Sequence, residues 1–167
     1  MIGTFDKFIL SEPECRKIKN LYESKIFLQE SNIRKQKNYH EIDTNSWLYN
    51  LIDDFIKKNI GKKYSLLERV TILKYEQGDF FLKHTDGIWN NTLSKELPFH
   101  FYGGVELSEK KEFEGGEFFI KDKKVDYLKG RLYTHGFDDS HGVEEVKKGK
   151  RWSLHFLITD YKTKHLI

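Results

Sequence analysis

Cysteine and proline are nearly missing from these 167 residues, which hold one cysteine, Cys15, and two prolines, Pro13 and Pro98. A solitary thiol closes no internal disulfide, so nothing points to an oxidising compartment, and cytoplasmic residence is the default expectation. Long apolar runs are absent too. No stretch approaches the ~20 residues of a membrane span, and Asp6 and Lys7 interrupt the opening MIGTFDKFIL where a signal peptide would need unbroken apolar sequence. No membrane association is expected. Charge of one sign is scarce as well: 29 Lys and Arg face 26 Asp and Glu, and the two signs are interspersed, a weak signal for a nucleic-acid partner. What is present is aromatic bulk, 15% of the chain, enough for a core in one domain of this length.

Along the chain the hydrophobic period changes once. Ser11 and Glu14 form a capping box, and Cys15, Ile18, Leu21, Tyr22 and Ile26 recur at helical spacing, predicting a helix over about 12–25. The polar stretch 28–43 carries no assignable period. Trp47, Leu48, Leu51, Ile52, Phe55 and Ile56 mark a second helical face that Gly61 stops. From Glu68 onward, short runs of β-branched and aromatic residues alternate with Gly, Asp and Lys, predicting strands at about 69–76, 79–84, 99–108, 116–121, 124–128, 130–136, 141–147 and 151–159. Eight strands suit an α+β, mainly β fold: a double-stranded β-helix (jelly roll) of eight core strands with two N-terminal bracing helices. Without repeats or a linker, 1–167 reads as one domain, with a helical N-terminal part of about 1–65 and a jelly-roll core of about 66–160. The longest predicted loop, 87–98, contains Trp89 and Asn90 and has the length of a lid over substrate.

The chemistry lies in three side chains. A cation such as iron(II) that must activate dioxygen needs few protein ligands, and two imidazoles with one carboxylate on one face leave coordination positions open. His84 and Asp86, two apart at a strand end, project to one side. His141 opens the seventh predicted strand, 57 residues after His84, where a jelly roll can lay it beside the second. His135 is a rival third ligand, six residues earlier but inside a strand. On the last predicted strand Arg151 and Ser153 share a face, while Trp152, Leu154 and Phe156 share the other. A buried arginine needs an anion; a guanidinium grips a carboxylate bidentately and a serine hydroxyl adds a further bond.

The segments LKYEQGDFFLKHTDG, FEGGEFFI and HGVEEVKKGKRWSLHF resemble the iron(II) and 2-oxoglutarate-dependent dioxygenases of the prolyl 4-hydroxylase type. FILSEPEC is similar to that family's entry into its first helix, so the resemblance spans roughly residues 5–160. It implies that His84, Asp86 and His141 hold Fe(II), and that Arg151 holds the distal carboxylate of 2-oxoglutarate with Ser153 beside it. O2 is implied as co-substrate and ascorbate as reductant. Gly115 and Gly116 match the family's glycine pair. Tyr75 corresponds to a tyrosine common in the family, and Tyr75 and Tyr102 are both candidates to contact 2-oxoglutarate. Where the family usually has Tyr-Leu-Asn, this chain has Glu106-Leu107-Ser108. The activity implied is hydroxylation of an unactivated C–H bond, of a peptide or protein side chain such as proline, with succinate and CO2 as co-products. A free amino acid, another small metabolite or a nucleobase is the alternative substrate. A non-catalytic jelly-roll binding module is the alternative of another class, and a metal-dependent hydrolase lacks an additional acid or base beside the ligands.

Each piece has an ordinary reading. An isolated His-x-Asp is commonly a solvated turn, a lone strand histidine commonly fills a core, and Arg151 closes the basic run from Lys147. Trp89 can be a loop aromatic, and His100 and His155 can fill a pocket or line it. Gly103-Gly104 inside a strand indicates a bulge or a close backbone approach.

Overall fold

In the computed structural model residues 3–86 and 101–160 are described, and of 3–9 the backbone alone. The capping box forms: Ser11 accepts from the Glu14 N–H, Glu14 accepts from the Ser11 N–H, and α1 runs Glu12–Tyr22, three residues short of the predicted end at about 25. Cys15, Ile18 and Tyr22 are buried, whereas Leu21, which the spacing places on the same face, is 46% exposed. α2 runs Trp47–Asn59 from an N-cap at Ser46, and Gly61, at φ +141°, follows its end.

The strands, in chain order, are β1 (Gly3–Ile9), β2 (Phe27–Glu30), β3 (Arg34–Glu41), β4 (Tyr64–Tyr75), β5 (Phe80–His84), β6 (Phe101–Glu106), β7 (Phe113–Gly115), β8 (Phe118–Ile120), β9 (Lys123–Lys124), β10 (Arg131–His135), β11 (His141–Val143), β12 (Val146–Gly149) and β13 (Arg151–Asp160). Eleven belong to one curled antiparallel sheet ordered β1-β10-β6-β13-β4-β3-β5-β11-β8-β9, with β2 beside β3, while β12 pairs with β7. β3 is the corner: its residues 37–41 pair with β4, and Arg34 and Lys35 pair with β5.

This is the expected double-stranded β-helix, with corrections. The stretch 28–43 is a hairpin, β2 and β3, and β1 lies beside β10, so the N-terminal part is not simply helical. The predicted strand 124–128 is two residues long, and 141–147 divides into β11 and β12 at Glu144 and Glu145 because the chain leaves β8 to pair with β7. That departure needs the glycine pair: Gly115 and Gly116 lie at φ +72° and +62°, and a side chain at Gly115 would meet the Glu145 carbonyl. Gly103 and Gly104 lie in regular pairing, so the close approach rather than a bulge is realised. A methyl at Gly103 would stand 2.6 Å from the Phe156 ring and one at Gly104 would strike the Tyr133 hydroxyl.

The alternation on β13 separates two environments. Trp152, Leu154, Phe156 and Ile158 pack with Ile18, Leu48, Ile52 and Ile56 of the two helices, so the helices brace one face of the larger sheet. Arg151, Ser153, His155 and Leu157 face the opposite side, into the fold's cavity. The entry to β5 is held electrostatically, by Glu76 accepting from Lys37 on β3 and pairing with Lys74 on β4.

Two consequences are measurable. Ile18→Ala should cost about 2–5 kcal/mol in urea unfolding, and Leu21→Ala under about 0.5 kcal/mol; equal losses would contradict the observed helix face. The bonds from Lys37 and then Lys74 lower the Glu76 carboxyl from its ordinary 4.5 to about 2. Its stabilisation is therefore complete above pH 4.5 and disappears as pH falls through 2, so the stability gap between wild type and Glu76→Gln should close over that window.

Candidate active site

β5 and β11 are neighbours, and their pairing sets His141 directly opposite His84. Asp86 follows two residues after His84, beyond the strand end. The His84 Nδ1 lies 2.7 Å from the Leu82 carbonyl and the His141 Nδ1 2.9 Å from the Asp139 carbonyl. A carbonyl only accepts, so each Nδ1 carries the proton and each Nε2 presents a lone pair. Both Nε2 atoms point at one carboxylate: His84 Nε2 is 3.5 Å from Asp86 Oδ1, and His141 Nε2 is 3.2 Å from Asp86 Oδ2. The Phe81 ring stacks on His84 at 3.8 Å and fixes its plane.

One ligand atom from each of His84, Asp86 and His141 lies within 4.8 Å of the others, a group able to hold a metal ion. Asp86 Oδ2 is buried without a satisfactory hydrogen bond, as expected of an oxygen that awaits a cation. Burial alone would raise the Asp86 carboxyl, but when His141 and His84 are protonated their Nε2–H groups outweigh it and hold the carboxyl far below the usual carboxylate range. His135, His141 and His155 form a second group within the same limit. The two groups exclude each other, since both need the one free nitrogen of His141. His135 Nδ1 lies 3.1 Å from the Gly136 carbonyl, and its Nε2 3.4 Å from that of His155. Burial, reinforced by neighbouring imidazoles, takes His135 down to about 3; burial likewise takes His155 down to about 4. Both are neutral at pH 7. The all-imidazole set lacks the carboxylate that offsets a dication's charge, so the donor chemistry favours the group containing Asp86.

His84, Asp86, His141 and His155 line a cavity of ≈ 420 Å³. Arg151 and Ser153 lie at one end, both 1% exposed, with the guanidinium over the Tyr75 ring at 5.4 Å. Tyr75 donates to Gln36 at 2.6 Å. Further along β13 are His155 and Leu157, with Tyr102 stacked between His155 and His135 at 4.7 and 5.3 Å. Tyr75 thus stands beside Arg151 and Tyr102 beside His155. Trp89, Asn90, the rest of the 87–98 loop and His100 lie outside the described residues.

Three residues near Arg151 gave no clear sequence signal. Arg151 does have a buried anion, but it is internal: its Nη2 donates to Glu106, itself 3% exposed. Period-two parity places Glu106 opposite Ser153 on the cavity side, and that parity was the signal available. Tyr133 reaches the cavity because Gly104 yields room, and Gln36 faces inward from a strand with no apolar pattern.

Residues 70–159 match the profile of the 2OG-Fe(II) oxygenase superfamily. A PKHD-type hydroxylase of Idiomarina loihiensis is 30% identical over 90 residues, covering 52% of this chain and 39% of that protein, so the match spans about two fifths of its relative. The fold is similar to a Pseudomonas putida prolyl-4-hydroxylase (TM-score 0.69, 14% identity, 95% of this chain and 92% of that one). It is also similar to a viral collagen prolyl hydroxylase from Paramecium bursaria Chlorella virus-1 (TM-score 0.68, 18% identity, 95% and 96%).

Titrating the metal-free protein with manganese(II) separates the two candidate groups. Asp86→Ala should weaken binding by at least about tenfold, while His135→Ala should change it by less than about threefold. The reverse ranking would move the ion to the histidine trio.

Proposed function

Because the chain belongs to the 2OG-Fe(II) oxygenase superfamily, we propose that it is an iron(II)- and 2-oxoglutarate-dependent dioxygenase that hydroxylates a peptidyl side chain such as proline. The observation that carries this reading is the convergence of His84, Asp86 and His141 on one point of a cavity that has buried guanidinium donors at its end. When bound, iron(II) with 2-oxoglutarate and dioxygen supplies the oxidising power to hydroxylate an unactivated C–H bond, with succinate and CO2 as co-products.

In this reading the protein's own groups position and shield. His84 and His141 would offer their Nε2 lone pairs to the ion, and Asp86 would contribute one charge. Arg151 Nε and Nη1, buried and without protein partners, present N–H donors to the distal end of the co-substrate, and the Ser153 hydroxyl stands beside them. Leu73, Phe81, Phe118 and Val143 line the space between with apolar surface and exclude water. Along β13, Arg151 to Leu157 spans about 20 Å at ~3.3 Å per residue. The substrate therefore has the opposite end, lined by Leu67, Tyr102 and Leu157. A peptidyl substrate is supported by the prolyl 4-hydroxylase-like order of motifs and by the likeness to prolyl hydroxylases. No helix among the described residues is long and apolar enough to cross a membrane.

Incubation with iron(II), ascorbate and 2-oxoglutarate in air should form succinate slowly, faster when a peptide substrate is added, and Asp86→Ala should abolish it. Stimulation by free amino acids alone would replace the peptide reading. No succinate with any peptide, amino acid or oligonucleotide would make the chain a binding module.

A further inference from the structure

The far end of the cavity is already neutral. Glu106 and Ser153 are partners across β6 and β13, and the Glu106 Oε1 accepts from Arg151 Nη2 with both side chains buried. Around this pair the titratable neighbours are Tyr75 on β4, Tyr133 on β10 and Tyr127 between β9 and β10, and burial raises all three hydroxyls well above their ordinary range. They carry no charge at neutral pH. Tyr75 donates to Gln36 at 2.6 Å and Tyr127 to the Ser108 carbonyl at 2.5 Å. One positive and one negative charge therefore face each other, and Arg151 Nε and Nη1 remain as buried N–H groups without partners.

A second carboxylate brought to Arg151 gains a hydrogen bond from one of these N–H groups but is also repelled by Glu106, which offsets much of the guanidinium's attraction. A neutral carboxamide oxygen accepts such a bond without that repulsion. We propose that Glu106 is a specificity-determining residue of the co-substrate pocket: by neutralising Arg151 it removes most of the preference for a dicarboxylate over a 2-oxo acid of equal length with a neutral, hydrogen-bonding end. This rests on the reading of the cavity as a 2-oxo acid site.

The experiment is calorimetric. The full-length chain, loaded with iron(II) under nitrogen so that no turnover occurs, is titrated with 2-oxoglutarate and separately with its 5-carboxamide. The wild type should bind the two within about tenfold of each other, and Glu106→Gln should shift the ratio at least about tenfold towards the dicarboxylate. Gln keeps the acceptor oxygen facing Nη2 while discarding the charge, and the ratio is internal to each variant, so a loss of overall affinity does not imitate the effect. A wild-type preference for the dicarboxylate above about a hundredfold overturns the proposal, as does an unchanged ratio in a Glu106→Gln protein with native-like melting. Should that variant not fold, the wild-type ratio decides. Binding of neither ligand overturns the co-substrate reading itself and this inference with it; binding of both with an unaltered ratio overturns the inference alone.

Discussion

The antiparallel pairing of β5 with β11 is the constraint on which the site depends. It sets residues 57 apart in sequence opposite each other and so brings two imidazoles to one carboxylate. Strand side chains alternate between faces, so a slip of one residue would turn His141 away from His84 and dissolve the group. Much of the surrounding architecture serves that register. β3 links β4 to β5, β8 flanks β11 on its other side, and the positive-φ glycines at 115 and 116 let the chain leave after Val143 without disturbing it.

A second constraint is the buried charge of Arg151. Taking a guanidinium out of water is costly, and removing the partner of a buried ion pair typically costs about 3–5 kcal/mol. Here the partner belongs to the fold itself, so the far end of the cavity is held in place before any ligand arrives. Preorganisation and charge neutralisation come from the same residue, and they act in opposite directions on a dianionic ligand. The outer face of β13 raises no such conflict. Trp152, Leu154, Phe156 and Ile158 form an apolar layer against the helices, which leaves the inner face free for polar and ionic groups.

Much of this was legible in the sequence, for identifiable reasons. The Ser11–Glu14 capping box is local chemistry and formed as read. The alternation on β13 is period two and placed Arg151 and Ser153 together inside. The spacing of His84, Asp86 and His141 suited neighbouring strands, and the structure brings all three together. What sequence hid was polar-inward structure. In β3 the buried positions include Gln36, Asn38 and Glu41, so 28–43 carries no apolar periodicity. Leu21 carried the helical period of its buried neighbours and yet faces solvent, because α1 is short and its contact with the sheet is narrow. Glu106 looked like the loss of a family tyrosine. Its role emerges only when two strands distant in sequence pair and put it against Arg151.

We propose that a single cation sits among His84, Asp86 and His141. An anomalous-difference map from a crystal grown with manganese(II) in place of iron tests it most directly. One strong peak is expected within bonding distance of the His84 Nε2, the His141 Nε2 and an Asp86 carboxylate oxygen. A peak shared by His135, His141 and His155, with Asp86 turned away, would contradict it.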